Sequence, residues 1–238
     1  MRGVFVTGTG TEVGKTVLAA VIARTFVAAG QRVAVFKPAV TGLDEFPVDG
    51  PIAVDMRRVP AHRLADHELL RMAGDSGQSD EEIAPYRYGP PASPHLAAAQ
   101  AGEEIEPERL LAAAHAAAVG ADVLVCEGVG GLLVPLSSSY LVRDFAAELG
   151  LPVLIAASPA LGTINHTLLT IEAARAVGLT IAAVVLTPWP AEPGAIERSN
   201  RETIEALGKV EVEVLPMLDL EEPAGWKADW RFMRHIGA

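Results

Sequence analysis

The chain has 238 residues, 50% of them hydrophobic, and a formal net charge of -11 at pH 7. That much apolar material suits one compact domain of enzyme size, residues 1–238, without a split into two. The acidic balance excludes wrapping nucleic acid or docking on an anionic membrane, aromatics at 5% leave little for stacking on single strands, and a lone cysteine, Cys126, excludes an internal disulfide. In chain order, a strand over Gly3–Thr7 comes with no charged leader, long apolar span or cleavage pattern ahead of it, so a soluble, cytoplasmic protein is expected. A glycine-rich turn leads to a helix over Val17–Ala29, then a strand over Arg32–Phe36. Leu43–Leu64, with three prolines and mixed charges, reads as a long surface loop near a site. A short helical stretch, His67–Met72, follows. Further on, helices over Pro107–Val119, Leu141–Leu149, Asn165–Val177 and Ala195–Leu207 alternate with strands over Val123–Cys126, Pro152–Ala156, Ile181–Leu186 and Val212–Leu215. Apolar strands without polar alternation, interleaved with helices, predict an α/β fold: a doubly wound, mostly parallel sheet flanked by helices. Gly30, Gly150 and Gly178 each stand just past a helical stretch, where C-terminal caps belong.

The turn between the first strand and helix reads Gly-Thr-Gly-Thr-Glu-Val-Gly-Lys-Thr over residues 8–16. Glycines let backbone N–H groups curl around phosphate oxygens, and the helix N-terminus adds partial positive charge. Lys15 can then reach the β/γ-phosphates and Thr16 can ligate Mg²⁺. Counting back from Gly14 by the usual spacing lands on Thr9 rather than a glycine, with Gly8 and Gly10 on either side. The loop keeps its backbone freedom, and nucleotide binding is expected over an ordinary surface turn.

In doubly wound sheets, ligands gather at the carboxyl ends of the strands. Lys37 follows the second strand there, Glu127 follows Val123–Cys126, and Asp66 opens the stretch His67–Met72. Singly, a strand-end lysine or glutamate is often solvated surface and an aspartate before a helix is often an N-cap. Around a P-loop the three supply a second phosphate clamp and Mg²⁺ ligands. Cys126, inside an apolar run, reads as a core residue.

With these motifs in order the chain resembles the dethiobiotin synthases of biotin biosynthesis. The resemblance is carried by residues 7–16, by Lys37-Pro38-Ala39-Val40-Thr41-Gly42, by Ser93-Pro94-His95, by the Glu127–Leu136 segment and by Leu161-Gly162-Thr163-Ile164-Asn165-His166. It runs to about Gly178 and more loosely toward Asp219. It implies an enzyme that takes 7,8-diaminononanoate, CO₂ and ATP through a carbamate and a carbamic-phosphoric anhydride to a cyclic urea. Carried over position by position, Lys15 and Lys37 stabilise the transferring phosphoryl group and the carbamate, with Thr11 and Glu12 close by. Thr16, Asp66 and Glu127 hold Mg²⁺. Glu12, Val13, Gly14, Lys15, Thr16, Gly128, Val129 and Gly130 contact the nucleotide, and Thr41, Pro91, Ser93 and Gly130 the diamine. Leu161, Gly162, Thr163, Ile164 and Asn165 are implied to bind the substrate carboxylate in the neighbouring subunit of a homodimer, a reading favoured over an ordinary N-cap. His95 and His166 lack a partner at metal-ligand spacing and are expected to make local hydrogen bonds.

One departure stands out. Where many members of that family carry an adenine-reading asparagine, this chain has Thr187-Pro188, and the resemblance implies that Pro216, Met217 and Leu218 edge the base pocket. One hydroxyl and a residue without N–H weaken bidentate base readout. Two other classes compete. A P-loop switch ATPase usually has a second lysine early in the loop, and residues 8–13 hold none. It also often carries a basic membrane-binding tail; here Gly225–Ala238 contains Trp226, Lys227, Trp230, Arg231 and Arg234 but is short, without a helical pattern. An amidotransferase-coupled synthetase needs a glutaminase cysteine with a histidine partner and a domain to hold them.

Overall fold

The computed structural model describes residues 1–45, 61–222, 225–234 and 236. The middle of the expected loop, residues 46–60, lies outside the described residues. Six parallel strands form one sheet in the order β2-β3-β1-β4-β5-β6. They are β1 (Gly3–Gly8), β2 (Val33–Phe36), β3 (Val123–Gly131), β4 (Val153–Ala157), β5 (Ile181–Trp189) and β6 (Val212–Pro216). The longer helices are α1 (Lys15–Ala28), α2 (Asp66–Gly74), α5 (Pro107–Ala117), α6 (Val142–Leu149), α7 (Thr163–Arg175) and α8 (Ala195–Gly208). Two shorter ones, α3 (Asp80–Ile83) and α4 (Pro94–Gln100), were not expected. Both carried a start signal: Ser79 and Glu82 form a reciprocal capping box, and Pro94 follows Ser93 at a helix start.

Strand periodicity divides the core in two. Val4, Val6, Val33, Val35, Val123 and Val125 pack toward α1 and α2, whereas Phe5, Ala34, Phe36, Leu124 and Cys126 pack toward the opposite layer of α5–α8. Both faces are covered, so the strands read as unbroken apolar runs. Cys126 is fully buried among them, as expected.

β3 and β5 outrun their expected ends by more than one residue, and both overruns lie beside the site. β3 continues to Gly131: Val6 pairs with Glu127 and Gly8 with Gly131, so residues 128–130 bulge out of register. Glu127 is therefore inside the strand rather than after it. β5 continues to Trp189, which pairs with Pro216 of β6 across an irregularity. The Thr187–Pro188 bond in that overrun is cis.

The tail is not a free arm. Trp226, Trp230, Phe232, Met233 and Ile236 are buried in the α1-side core. Ala228 N–H donates to Thr25 Oγ1 of α1 at 3.0 Å, and the Trp226 indole donates to the Asp219 carbonyl at 2.8 Å. Indoles used this way are withdrawn from any membrane surface. No helix among the described residues is long and apolar enough to cross a membrane.

Candidate active site

The turn from β1 to α1 is held open by local geometry. Thr9 N–H bonds to the Ala156 carbonyl of β4 at 3.0 Å, so this position is tied to the sheet and needs no glycine. Backbone with positive φ follows at Glu12 (59°) and Gly14 (84°). A Cβ at Gly14 would sit 2.9 Å from Thr187 Cγ2, so both conformation and space require glycine. Lys15, the first residue of α1, folds back and donates to the Gly10 carbonyl at 2.6 Å. Burial pushes its ammonium below the ordinary lysine value, with Glu127 partly offsetting this.

Lys37 and Glu127 reach the same place by alternation. Each lies two residues beyond a valine of the α1 face, Val35 and Val125, and so turns to that side. Asp66 joins them as the first residue of α2. It is not the N-cap: Ala65 holds that position, its N–H donating to Glu68 Oε2 at 2.9 Å. Lys37 Nζ lies 2.6 Å from Glu127 Oε1 and 2.9 Å from Asp66 Oδ2. Thr16 Oγ1 lies 3.0 Å from Asp66 Oδ1 and 2.9 Å from Glu127 Oε1. Burial alone would lower Lys37, but Asp66 and Glu127 outweigh it and hold the ammonium above its usual value. Asp66, also penalised by burial, is held below the usual carboxylate range by Lys37. Glu127 is 0% exposed, and its burial outweighs the help from Lys37, so its carboxyl is raised.

These oxygens suit a hard cation. The Thr16 hydroxyl has one hydrogen for two carboxylates, and Glu127 Oε2 is buried without a hydrogen-bond partner. Among the described residues no cluster of three or more His, Cys, Asp or Glu could hold a metal. A set of one hydroxyl and two carboxylates fits Mg²⁺, which keeps several waters and shares its shell with phosphates.

The cluster opens into a cavity of about 790 Å³. Of the expected site residues, Thr11, Glu12, Gly14, Lys15, Thr16, Lys37, Thr41, Asp66, Pro91, Ser93, Glu127, Val129 and Gly130 line it. Residues far apart in sequence meet because 40–44 zips along 86–90: Val40 N–H bonds to the Tyr86 carbonyl, Tyr88 N–H to that of Val40, and Gly42 N–H to that of Pro90, at 2.9, 2.9 and 3.0 Å. Glu45, Ala61 and Leu64 also line the cavity; the sequence places the Leu43–Leu64 loop near a site without singling them out.

A family model described as AAA domain matches residues 2–224. Proteins named ATP-dependent dethiobiotin synthetase BioD are similar over most of the chain. One from Anaeromyxobacter dehalogenans is 44% identical over 78% of this chain and 76% of its own length. One from Acidiphilium cryptum is 36% identical over 96% of each. One from Bacillus subtilis is 35% identical over 87% of this chain and 83% of its own. The chain belongs to the dethiobiotin synthetase family. Its fold also matches a ParA family ATPase from Chlorobium tepidum (TM-score 0.52, 18% identity, 94% of this chain and 89% of that one). A MinC:MinD complex chain from Aquifex aeolicus matches as well (TM-score 0.56, 16% identity, 95% and 87%). Likeness at that identity shows the P-loop fold alone.

The remaining expected site residues lie outside the cavity. Val13 packs on the α1-side core, and Gly128 lies against Phe5, where a Cβ would come within 3.0 Å of the ring. Thr187 is buried behind Gly14, and Pro216, Met217 and Leu218 follow at the end of β6, with Met217 exposed. Leu161 is 88% exposed at the start of α7, where Gly162 is the N-cap and Thr163 the first helical residue. Asn165 is thus inside the helix. Asn200 of α8 secures the preceding turn by donating to the Pro159 carbonyl at 2.9 Å. His95 and His166 are exposed, and neither imidazole makes a hydrogen bond with another described residue, contrary to expectation.

Proposed function

We propose that this chain makes dethiobiotin from 7,8-diaminononanoate, CO₂ and ATP, as a single catalytic domain in the cytoplasm. The observation that carries the reading is Lys37, buried between Glu127 and Asp66 beside the P-loop lysine in one cavity. Two fixed ammonium groups there suit a reaction in which one anion attacks another. In the first step a neutral amine of the substrate attacks CO₂, forming an N–C bond and losing a proton. A carbamate oxygen then attacks the γ-phosphorus of ATP and ADP leaves. Finally the second amine attacks the carbonyl carbon, loses its proton, and inorganic phosphate departs.

No nucleophilic side chain is required, since phosphoryl transfer is governed by positioning and charge. Lys15, released from Gly10 O, turns to the transferring phosphoryl group, and Lys37 pairs with the carbamate and the equatorial oxygens. Thr16, Asp66 and Glu127 would hold Mg²⁺, which neutralises phosphate charge when bound. Thr11 and Glu12 stand next to the reacting groups; Thr41, Pro91, Ser93 and Gly130 receive the diamine end. Gly14, Val129 and the first turn of α1 cradle the phosphates, while Val13 and Gly128 shape the loop from behind. Thr187 with Pro216, Met217 and Leu218 borders the base.

The exposed Leu161 and the α7 N-terminus support a homodimer in which residues 161–165 bind the substrate carboxylate of the partner subunit. The test is product analysis. Purified protein with ATP, bicarbonate and diaminononanoate yields a ureido acid, ADP and phosphate without glutamine or a second protein. ATP hydrolysis without ureido product would refute the reading.

A further inference from the structure

We propose that Glu45 anchors the protonated nitrogen of the diamine and so determines which nitrogen is left free to take up CO₂. This rests on the diaminononanoate reading above. Glu45 ends the short turn Leu43–Glu45 that closes the 40–44 wall of the cavity, its N–H bonded to the Gly42 carbonyl at 3.1 Å. Its side chain folds back: Oε2 lies 3.5 Å from the point a Cβ on Gly42 would occupy, and Pro91 Cβ lies 3.6 Å from the same point. Gly42, with φ 81° and no side chain, keeps the approach to that oxygen clear. The adjacent acid behaves differently, since the Asp44 carboxylate packs on Gly89 and lines no part of the cavity.

The cavity's other carboxylates have separate work. Asp66 and Glu127 are engaged by Lys37 and Thr16, and Glu12 belongs to the phosphate loop. Lys15 and Lys37 repel an ammonium at the phosphate end, so Glu45 places the complementary charge on the 40–45 wall. The substrate's own chemistry makes this matter. Two vicinal amines disfavour double protonation because like charges repel, so near neutral pH one nitrogen is charged and its neighbour is not. Only the uncharged nitrogen attacks CO₂. A carboxylate that holds the charged one therefore fixes the site of carbamate formation, and the held nitrogen gives its extra proton to solvent before it attacks to close the ring.

The experiment is steady-state kinetics of the full-length protein with diaminononanoate varied at saturating ATP and bicarbonate. Glu45→Gln is expected to raise KM for the diamine about tenfold, the scale of one charge-assisted contact. Both kcat and KM for ATP should stay within about twofold. Glu45→Asp recovers part of the loss, and Glu205→Gln, on an exposed position of α8, changes nothing. Carbon-13 NMR with labelled bicarbonate and no ATP adds a positional readout: one carbamate resonance for the native protein and two for Glu45→Gln. An unchanged diamine KM in Glu45→Gln, or an equal loss in kcat and in ATP affinity, overturns the proposal while native turnover stands. A native protein that forms no ureido product overturns the reading beneath it as well.

Discussion

Replacing Lys37 by methionine removes a charge from the most buried part of the site without removing its packing stem. The Lys37 side chain is 4% exposed, and its partner Glu127 is 0% exposed at 2.6 Å. Breaking a buried pair by deleting one member typically costs about 3–5 kcal/mol, because the other charge is left uncompensated. Here the survivor has an escape. Burial already raises the Glu127 carboxyl, and without the ammonium it rises further. Between the ordinary carboxylate value and that raised value, the folded variant binds a proton that the unfolded chain does not. Its stability therefore recovers as pH falls through that window. Native Lys37, held above its usual value, stays charged over the same range. Urea unfolding in Mg²⁺-free buffer is the assay. The expected loss in Lys37→Met is about 3–5 kcal/mol at pH 8, clearly less at pH 5.5, and largely reversed by adding Glu127→Leu. A loss under about 1 kcal/mol at pH 8, or one of equal size at both pH values, would show that solvent already screens the pair.

Lys37→Gln should also cut turnover by about 10²-fold or more while nucleotide binding changes less, measured by kcat and by ATP titration. Lys15→Ala abolishes turnover with an unchanged circular-dichroism spectrum; an unfolded spectrum would make the residue structural instead. Glu127→Gln and Asp66→Asn each raise the Mg²⁺ concentration at half-maximal activity, and unaltered Mg²⁺ dependence in both would remove them from the metal site. With Thr187 in the base-reading position, GTP or CTP supports product formation within about tenfold of ATP in kcat/KM, and an ATP preference above about a hundredfold would show that another element reads adenine.

The phosphate end of the site was legible because its signals are local. A strand, a glycine-rich turn and Lys15-Thr16 at a helix start announce themselves within one short stretch, Gly3 to Thr16, and Lys37 and Glu127 inherit their direction from the alternation of the strands before them. What escaped was set by neighbours distant in sequence. The bulge at residues 128–130 exists because β3 must stay paired with β1 past Glu127, and nothing in Gly128-Val129-Gly130 distinguishes it from a loop. Glu45 went unmarked because the cavity wall beneath it is made by pairing with residues 86–90. The packing of the tail escaped the sequence because Trp226, Trp230 and Phe232 follow no helical or strand period. They pack as an irregular strap, whose order comes from α1 and β6.

That strap ties the order of synthesis to the order of folding. α1, the helix that begins at the phosphate loop, is made long before the tail, yet Trp226, Trp230, Phe232, Met233 and Ile236 belong to the core that covers it. A nascent chain therefore carries an open apolar flank through translation of the sheet, and the helix that starts at Lys15 gains its full backing only after Trp230 and Ile236 have emerged. Cleavage near residue 225 would consequently be felt at the opposite end of the chain, as loosened support beneath the lysine that meets the phosphate.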